Sequence, residues 1–365
     1  MNRYLRIKNK DSKIWIMPVK NMGTALELYQ PSSAKGVMLK KVLPVITQIP
    51  LVGMMFERLM NIVECEMIIP YEVEKVIYDL FGKKELTLSY FSGTPSVHQK
   101  EIIQVASNNT ILGYVKYSSS REIKNIFRKE SLDLAYLNEK LVCHVPNTLI
   151  CLTEGSGLGI FVQDTKKTKK STTLHYLDKC HLNFLKDLAE KTKVKILFKD
   201  TDYNRMLKQL RSLSGALSYL KPFRDSLNLA IDLVEKDLNS KEYFSFYHGD
   251  FTPWNTFLLM NDIYSFDFEY ASRTYPMYLD VFHFFTQTLL FEKRLNSEKI
   301  FAEFEKLSLE GFFSELFLNE KLAYIEYLLS VICLFANRDG ETINNADLRN
   351  MVIWIDLVQR LAEIS

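Results

Sequence analysis

Three polar side chains, Asp250, Asn255 and Asp267, lie in a part of the chain that is otherwise apolar and aromatic. The two stretches that contain them read YHGDFTPWN (247–255) and IYSFDFEYA (263–271). An ionised carboxylate in such surroundings needs a cation, strong hydrogen bonds or a shifted pKa. Gly249 and Pro253 predict a turn, and not a regular element, around Asp250.

The order and spacing of these groups indicate phosphoryl transfer. One carboxylate is followed by a carboxamide five positions later and by a second carboxylate twelve positions beyond that. In nucleotide-dependent phosphoryl transfer, one aspartate accepts the proton of the substrate hydroxyl, and an asparagine and another aspartate supply oxygen ligands to Mg²⁺. Asp250 is therefore the candidate catalytic residue, and Asn255 and Asp267 are the candidate metal ligands.

The same segment resembles a known family. His248-Gly249-Asp250 through Asn255 resembles the H-G-D-x-x-x-x-N loop of the aminoglycoside phosphotransferase and choline kinase superfamily, the counterpart of H-R-D-x-x-x-x-N in protein kinases. The stretch DFEY (267–270) is similar to the segment that replaces D-F-G in choline and ethanolamine kinases. In YPMYLD (275–280), Asp280 matches a family aspartate that braces the catalytic loop, so the resemblance gives it a structural role.

The resemblance, which extends over about residues 86–284, implies a fold and a reaction. It implies a two-lobed protein-kinase-like fold, ATP and Mg²⁺ as cofactors, and the hydroxyl of a small molecule as acceptor. Sugars, amino alcohols and aminoglycoside-like compounds all remain open as that acceptor, because a single sequence gives no code for it.

Upstream residues predict the small lobe that such a fold requires. Three β-prone runs, 86–91, 101–106 and 111–117, are separated by turn-rich breaks and predict an antiparallel meander. The turn after the first run contains Ser92, Gly93 and Thr94, which we expect to cover the nucleotide phosphates although the turn has only one glycine. By analogy with the family, backbone groups near Gln163 and Asp164 are expected to bind the adenine.

A buried ion pair is predicted from periodicity. Lys116 lies near the end of the third run, and a helix capped by Ser118–Ser120 is predicted to continue to about Leu141. Within it, Glu130 lies on the apolar stripe formed by Phe127, Leu134, Leu137 and Leu141. A carboxylate facing the core needs a cation, and Lys116 is the obvious partner. In the family this lysine contacts the α- and β-phosphates.

The remaining pattern predicts an α+β architecture in three parts. Residues 1–82 form an N-terminal extension packing on the small lobe, read as a mixed segment with a helix at Tyr71–Phe81. Residues 83–164 form the small nucleotide-binding lobe, with further β-prone runs near 147–153 and 158–163. Residues 165–365 form a mainly helical lobe that binds the acceptor, with a short strand near Val194–Phe198.

Composition excludes several other classes of protein. With 46 basic and 44 acidic side chains, the chain lacks the basic excess of a nucleic-acid-binding protein. Its five scattered cysteines predict neither a disulfide framework nor a zinc site and favour a reducing cytoplasm. The apolar stretch Val42–Phe56 is too short and too interrupted to cross a membrane. We expect this stretch to form a helix packed on the small lobe, in preference to a peripheral contact with a membrane.

Two alternatives to a small-molecule kinase follow from the same residues. One is a catalytically silent nucleotide- or metabolite-binding module, although such proteins usually lose the aspartate, the metal ligands or the lysine. The other is a protein kinase, which is disfavoured because the interval from Asp267 to Pro276 is too short for an activation loop. Of the histidines, His248 is expected to orient the loop and His283 to be a buried core residue.

Overall fold

The computed structural model describes residues 3–9, 12–29, 34–47, 63–82, 85–93, 99–155 and 157–363. Its contacts divide the chain into two compact units. Unit 1 comprises Met1–Thr173 together with Phe257–Met260 and Tyr264–Glu269. Unit 2 comprises Leu174–Thr256, Asn261–Ile263 and Tyr270–Ser365. The segment that carries the candidate site is thus divided between the two.

Unit 1 contains an antiparallel sheet of eight strands in the order β3-β1-β2-β4-β5-β6-β8-β7. The strands are β1 (Tyr4–Lys8), β2 (Ile14–Pro18), β3 (Val63–Cys65), β4 (Leu86–Ser92), β5 (Glu101–Ser107), β6 (Thr110–Ser118), β7 (Thr148–Leu152) and β8 (Gly159–Asp164). The predicted meander is confirmed, since β4, β5 and β6 pair consecutively. Lys116 is opposite Ile102 on one side and Phe161 on the other.

Among the described residues, the helices of unit 1 are α1 (Met22–Ala25), α2 (Ala34–Ile46), α3 (Tyr71–Phe81) and α4 (Arg121–Glu139). Helix α3 packs Val73 and Ile77 into an apolar core with sheet residues such as Val105 and Val115. Helix α4 starts as predicted, because the Ser120 side chain accepts a hydrogen bond from the backbone N–H of Ile123. It ends at Glu139, so the predicted end near Leu141 is slightly wrong; Leu141 is exposed and has a positive φ.

The N-terminal residues form a mixed, partly helical segment with a helix at Tyr71–Phe81, as predicted, but they also form a hairpin that was not predicted. Residues 4–18 form the hairpin of β1 and β2, which joins the same sheet through pairing of β2 with β4. Leu5, Ile7, Trp15 and Met17 alternate with more exposed residues and form a second apolar core with Leu39 and Leu43 of α2. The basic residues between the apolar ones are the exposed half of a period of two, which is the pattern of a half-buried strand.

Helix α2 accounts for the start of the apolar stretch Val42–Phe56, and Leu43 is fully buried. Residues 48–56 of that stretch lie outside the described residues. Among the helices that the structure describes, none combines the length and the apolar character needed to span a membrane.

Unit 2 is mainly helical. Its helices are α5 (Lys179–Thr192), α6 (Asp202–Ala216), α7 (Arg224–Leu238), α8 (Asp280–Gln287), α9 (Ser297–Leu309), α10 (Glu320–Asp339) and α11 (Asn345–Glu363). Three short strands, β9 (Val194–Lys195), β10 (Tyr243–Tyr247) and β13 (Ser272–Tyr275), form a sheet in the order β13-β10-β9. The strands β11 (Thr256–Leu259) and β12 (Asp262–Ser265), most of whose residues belong to unit 1, form a hairpin.

Aromatic packing holds the helices of unit 2 together. The ring of Phe282 in α8 stacks on Tyr324 of α10 with centroids 4.8 Å apart and also contacts Phe313 at 5.1 Å. Tyr324 in turn contacts Phe304 of α9. Large rings contribute much buried apolar area, so this cluster fixes α8 against its neighbours. The antiparallel sheet of unit 1 and the helices of unit 2 confirm the predicted α+β class.

Candidate active site

Lys116 and Glu130 form the buried ion pair that periodicity predicts. Lys116 projects from β6 and Glu130 from α4, where Phe127 and Leu134 share its buried face. The ammonium of Lys116 lies 2.7 Å and 2.9 Å from the two carboxylate oxygens of Glu130. The Glu130 side chain is 0% exposed, so its charge depends on this lysine.

Asp267 joins the same ammonium group from a distant part of the chain. It follows β12 with a φ of 67°, and its Oδ1 accepts a hydrogen bond from Lys116 Nζ at 2.7 Å. Lys100 Nζ lies 3.3 Å from the same oxygen. The two ammonium groups hold the pKa of Asp267 well below its usual range, against the opposing effect of burial. With 24% of its side chain exposed, Asp267 is an ionised carboxylate that a ligand can reach.

Lys100 is a member of this cluster that sequence reasoning missed. It directly precedes β5, and its ammonium lies 2.5 Å from Oε2 of Glu269. Lys100 therefore bridges Asp267 and Glu269, two carboxylates that are two positions apart. No periodicity marks this position. The one feature of the sequence that could have indicated a role for Lys100 is its place at the end of the segment predicted to cover the phosphates.

The loop around Asp250 is built within unit 2. Strand β10 leads into His248 and Gly249, and the carboxylate of Asp280 accepts hydrogen bonds from both of their backbone N–H groups, at 2.8 Å and 3.1 Å. Burial raises the pKa of Asp280 to about 6, although the two N–H donors oppose the shift. Asp280 thus holds the backbone of His248 and Gly249, which is what is expected of a residue that braces the loop.

Asp250 is oriented by its neighbours in the loop. Its backbone N–H donates to Nδ1 of the buried His248 at 3.2 Å, which places His248 in the loop-orienting position that the sequence predicts. The side-chain amide of Asn255 donates to Oδ2 of Asp250 at 2.6 Å and to its backbone oxygen at 3.0 Å. The Asp250 side chain remains 26% exposed, so a substrate can reach the carboxylate.

His283 also lies beside Asp250. It is buried in α8, as predicted, but its Nε2 lies 3.4 Å from Oδ1 of Asp250 and its Nδ1 lies 3.4 Å from the hydroxyl of Tyr247. It is therefore a buried core residue with polar partners, and one of those partners is the candidate base. The signal that could have found it is its spacing of three positions from Asp280, which puts both side chains on one helix face.

The residues predicted to bind the nucleotide lie at two places in the sheet of unit 1. Ser92 ends β4 and accepts a hydrogen bond from Gln99 at 2.6 Å, and Gly93 follows it. Thr94 lies outside the described residues. Gln163 is buried near the end of β8, and its side-chain oxygen has no hydrogen-bond partner among the described residues. The neighbouring N–H of Asp164 already donates to the backbone oxygen of Asn147.

The donor set suits a metal that arrives with a nucleotide. Over the described ranges, no group of three or more His, Cys, Asp and Glu side chains is placed to hold a metal ion by itself. Mg²⁺ commonly uses only one or two carboxylates together with phosphate oxygens. In unit 1 the exposed, ionised carboxylate of Asp267 fits that requirement. In unit 2 the Asn255 amide turns its nitrogen to Asp250, which leaves its oxygen for a cation.

No protein-family model matches this sequence, and no curated protein matches it either. Solved structures do match. A choline kinase from Streptococcus pneumoniae is 13% identical, with 81% of this chain and 100% of that chain covered and a TM-score of 0.48. A choline kinase from Cryptosporidium parvum is 12% identical, with coverage of 73% and 87% and a TM-score of 0.45.

A third match is a thermostable mutant of an aminoglycoside phosphotransferase in ternary complex with AMP-PNP and hygromycin B. It is 14% identical, with coverage of 80% and 98% and a TM-score of 0.47. At this identity the matches do not identify a substrate, so any functional assignment depends on this chain's own side chains. The structures that this chain resembles are those of aminoglycoside phosphotransferases and choline kinases.

Proposed function

We propose that this protein is an ATP-dependent phosphotransferase that moves the γ-phosphate to a hydroxyl group of a small molecule. The acceptor that we propose is a sugar, an amino alcohol or an aminoglycoside-like compound, the same three classes that the sequence leaves open. We also propose the cytoplasm as its location, on the basis of the scattered cysteines.

The convergence in unit 1 supports the nucleotide half of this proposal. Lys116 and Glu130 are 14 positions apart, on a strand and the helix that follows it, whereas Asp267 lies 151 positions beyond Lys116. The ammonium of Lys116 nevertheless contacts both carboxylates at 2.7 Å. Phosphoryl transfer needs this combination, a lysine for the α- and β-phosphates and a carboxylate for the accompanying metal. This three-residue contact is the observation that carries the proposal.

The loop in unit 2 supports the acceptor half. Asp250 would take the proton of the attacking hydroxyl, because it is an exposed carboxylate whose orientation is fixed by Asn255. Asn255 and Asp267 would hold Mg²⁺, which supplies charge neutralisation of the phosphates when bound. Ser92 and Gly93 would contact the phosphates of the nucleotide, and backbone groups near Gln163 and Asp164 would bind the adenine.

The test is transfer of labelled phosphate from ATP by the purified chain to a library of hydroxylated acceptors. We expect Asp250→Ala to abolish transfer while nucleotide binding is largely kept, and Asp267→Ala to weaken binding of Mg²⁺-ATP in titration calorimetry. Asp187→Asn, which changes a surface carboxylate paired with Lys191, is the control and should leave both unchanged. Nucleotide binding without any transfer would instead favour a catalytically silent module, and full activity of Asp250→Ala would overturn the base assignment.

A further inference from the structure

Five side chains of unit 1 form one charge cluster. The ammonium groups of Lys100 and Lys116 contact the carboxylates of Glu130, Asp267 and Glu269. Two cations against three anions leave the cluster with one net negative charge. A lysine in such a position keeps its charge, and the neighbouring carboxylates raise the pKa of Lys100 despite its burial.

The two lysines have different surroundings. Lys116 is held on both oxygens of the fully buried Glu130, and only 4% of its side chain is exposed. Lys100 pairs instead with Asp267 and Glu269, the two carboxylates of the cluster that are partly exposed. The Lys116 ammonium is thus fixed from the interior by Glu130 and also contacts Asp267, whereas the Lys100 ammonium contacts the two partly exposed carboxylates.

Lys100 occupies one oxygen on each of two carboxylates that could bind a divalent cation. Its ammonium lies 3.3 Å from Oδ1 of Asp267 and 2.5 Å from Oε2 of Glu269. A metal ion that approaches alone would have to displace a positive charge from its partners. A triphosphate changes this balance, because its oxygens offer the ammonium group an alternative anionic partner.

The chain also permits such an exchange of partners. The backbone is fixed from Glu101 onward by pairing with Ser92 and Tyr117. Lys100 lies immediately before Glu101. Its ammonium group is at the end of a flexible four-carbon side chain, and the three N–H donors can reorient. Its headgroup can therefore turn from the carboxylates to a phosphate without movement of the sheet.

We propose that Lys100 couples metal binding to nucleotide binding, by pairing with Asp267 and Glu269 in the nucleotide-free protein and with phosphate oxygens once the nucleotide is present. This inference rests on the proposed function and adds to it a residue that contacts the nucleotide. It has two consequences of opposite sign. Loss of Lys100 should strengthen binding of a divalent cation alone and weaken binding of a nucleotide alone.

The first measurement titrates the nucleotide-free protein with Mn²⁺ and follows the free ion by electron paramagnetic resonance. Lys100→Met should bind Mn²⁺ at least about tenfold more tightly than the wild type, because a unit positive charge a few ångströms away is removed. Lys100→Arg, which keeps the charge, should resemble the wild type. Lys129→Met is the matched control, since it removes one lysine paired with Asp133 in the same unit.

The second measurement is calorimetric titration with ATP in the presence of EDTA. Lys100→Met should bind metal-free ATP about tenfold more weakly than the wild type, whereas Lys129→Met should not differ from it. Glu269→Gln provides an independent variant. It removes the closest partner of Lys100 and should strengthen binding of metal-free ATP, so it tests the inference even if Lys100→Met fails to fold.

The outcomes separate this inference from the proposed function. If the wild type binds no nucleotide even with Mg²⁺, the proposed function is wrong and the inference is wrong with it. If the wild type binds Mg²⁺-ATP, but Lys100→Met matches it for Mn²⁺ or for metal-free ATP, only the inference is overturned. Unchanged binding of metal-free ATP by Glu269→Gln would overturn it as well.

Discussion

The side-chain amide of Asn255 binds Asp250 at two points, its carboxylate oxygen at 2.6 Å and its backbone oxygen at 3.0 Å. Because both contacts come from the amide nitrogen, the position of the carboxylate and the direction of the amide oxygen are set together. A single asparagine can thus orient the candidate base and present an oxygen ligand to a cation.

These two functions of Asn255 can be separated by substitution. Asn255→Asp keeps an oxygen ligand but replaces the N–H donor with a second carboxylate beside Asp250. We expect at least about a hundredfold loss of turnover, because two adjacent carboxylates raise the pKa of the base and disturb its orientation, while binding of Mg²⁺-ATP is retained. Asn255→Ala should lose both turnover and metal affinity. Steady-state kinetics at varied Mg²⁺ concentration measures the two effects.

Asn204 provides the control for this pair. It is another buried asparagine of unit 2, and its amide donates to the backbone oxygen of Lys199 at 2.7 Å. Asn204→Ala should reduce the free energy of unfolding by about 1–3 kcal/mol without a large change in turnover. If Asn255→Asp turned over like the wild type, Asn255 would not orient the base.

The pair of Lys116 and Glu130 predicts a stability effect that does not depend on any reaction. Lys116→Met leaves the carboxylate of Glu130 buried without its main cation, so the free energy of unfolding should fall by about 3–5 kcal/mol. The double variant Lys116→Met, Glu130→Leu removes the uncompensated charge and should recover much of that loss. Urea denaturation of both variants measures the difference.

A partly exposed pair gives the comparison for this experiment. Lys191→Met removes a lysine that lies 2.8 Å from Asp187 on α5, and both side chains are partly exposed. Its effect should be no more than about 1 kcal/mol, because solvent screens the interaction. Equal destabilisation by Lys116→Met and Lys191→Met would contradict the view that burial makes Glu130 dependent on Lys116.

The contact between Lys116 and Glu130 could be predicted because each residue has a local signal. Strand alternation marks Lys116, and helical periodicity puts Glu130 on the face that carries Phe127 and Leu134. Lys100 has no such signal. Its contacts join residues 167 and 169 positions apart, and they depend on where a non-periodic loop meets the sheet. Tertiary contacts of this kind cannot be read from a single sequence.

The hairpin of β1 and β2 was missed for a different reason. Alternating basic and apolar residues at 4–8 carry the period of a strand, but a hairpin has to join a sheet to be stable, and that sheet begins some 70 residues later. His283 illustrates a third case. Its burial follows from the apolar sequence of α8, whereas its approach to Asp250 depends on the path of the loop that Asp280 holds.

His181 predicts a loss of stability in mild acid. It is fully buried against Phe284, and its Nδ1 accepts a hydrogen bond from the backbone N–H of Asp178, the cap of α5. Burial lowers its pKa to about 4, below the ordinary value near 6.5. Between these two pH values the unfolded chain binds a proton that the native protein excludes. Stability should therefore fall by about 3 kcal/mol as the pH drops through that window.

His181→Gln isolates this contribution. Glutamine keeps an acceptor for the capping N–H but does not titrate, so the variant should lose the pH dependence between about 6.5 and 4. Asp280 acts in the opposite direction, since its pKa of about 6 lies above the ordinary value and favours the protonated native state below it. Asp280 is present in both the wild type and the variant, so its contribution cancels when their pH dependences are subtracted. Equal pH dependence of urea denaturation in the wild type and His181→Gln would contradict the assignment.

Gly249 predicts a defect that combines stability and activity. Its φ is +80°, and a Cβ built there would lie 2.5 Å from the backbone oxygen of Tyr270, in the turn just before β13. Gly249→Ala should therefore cost more than the roughly 1 kcal/mol of placing alanine at positive φ. Displacement of the loop should also move Asp250, so turnover should fall by at least about tenfold.

Gly311→Ala separates the clash from the conformational cost alone. Gly311 has a similar φ of +74°, but its nearest neighbour to a built Cβ is the hydroxyl oxygen of Ser314 at 3.5 Å, an ordinary contact. This variant should be destabilised by about 1 kcal/mol and keep its turnover. If thermal unfolding and kinetics showed the two alanine variants to be equivalent, the close approach of Tyr270 would not be what requires glycine before Asp250. Loss of turnover confined to Gly249→Ala would instead show that the candidate catalytic carboxylate of Asp250 depends on the backbone geometry that Asp280 and Gly249 maintain.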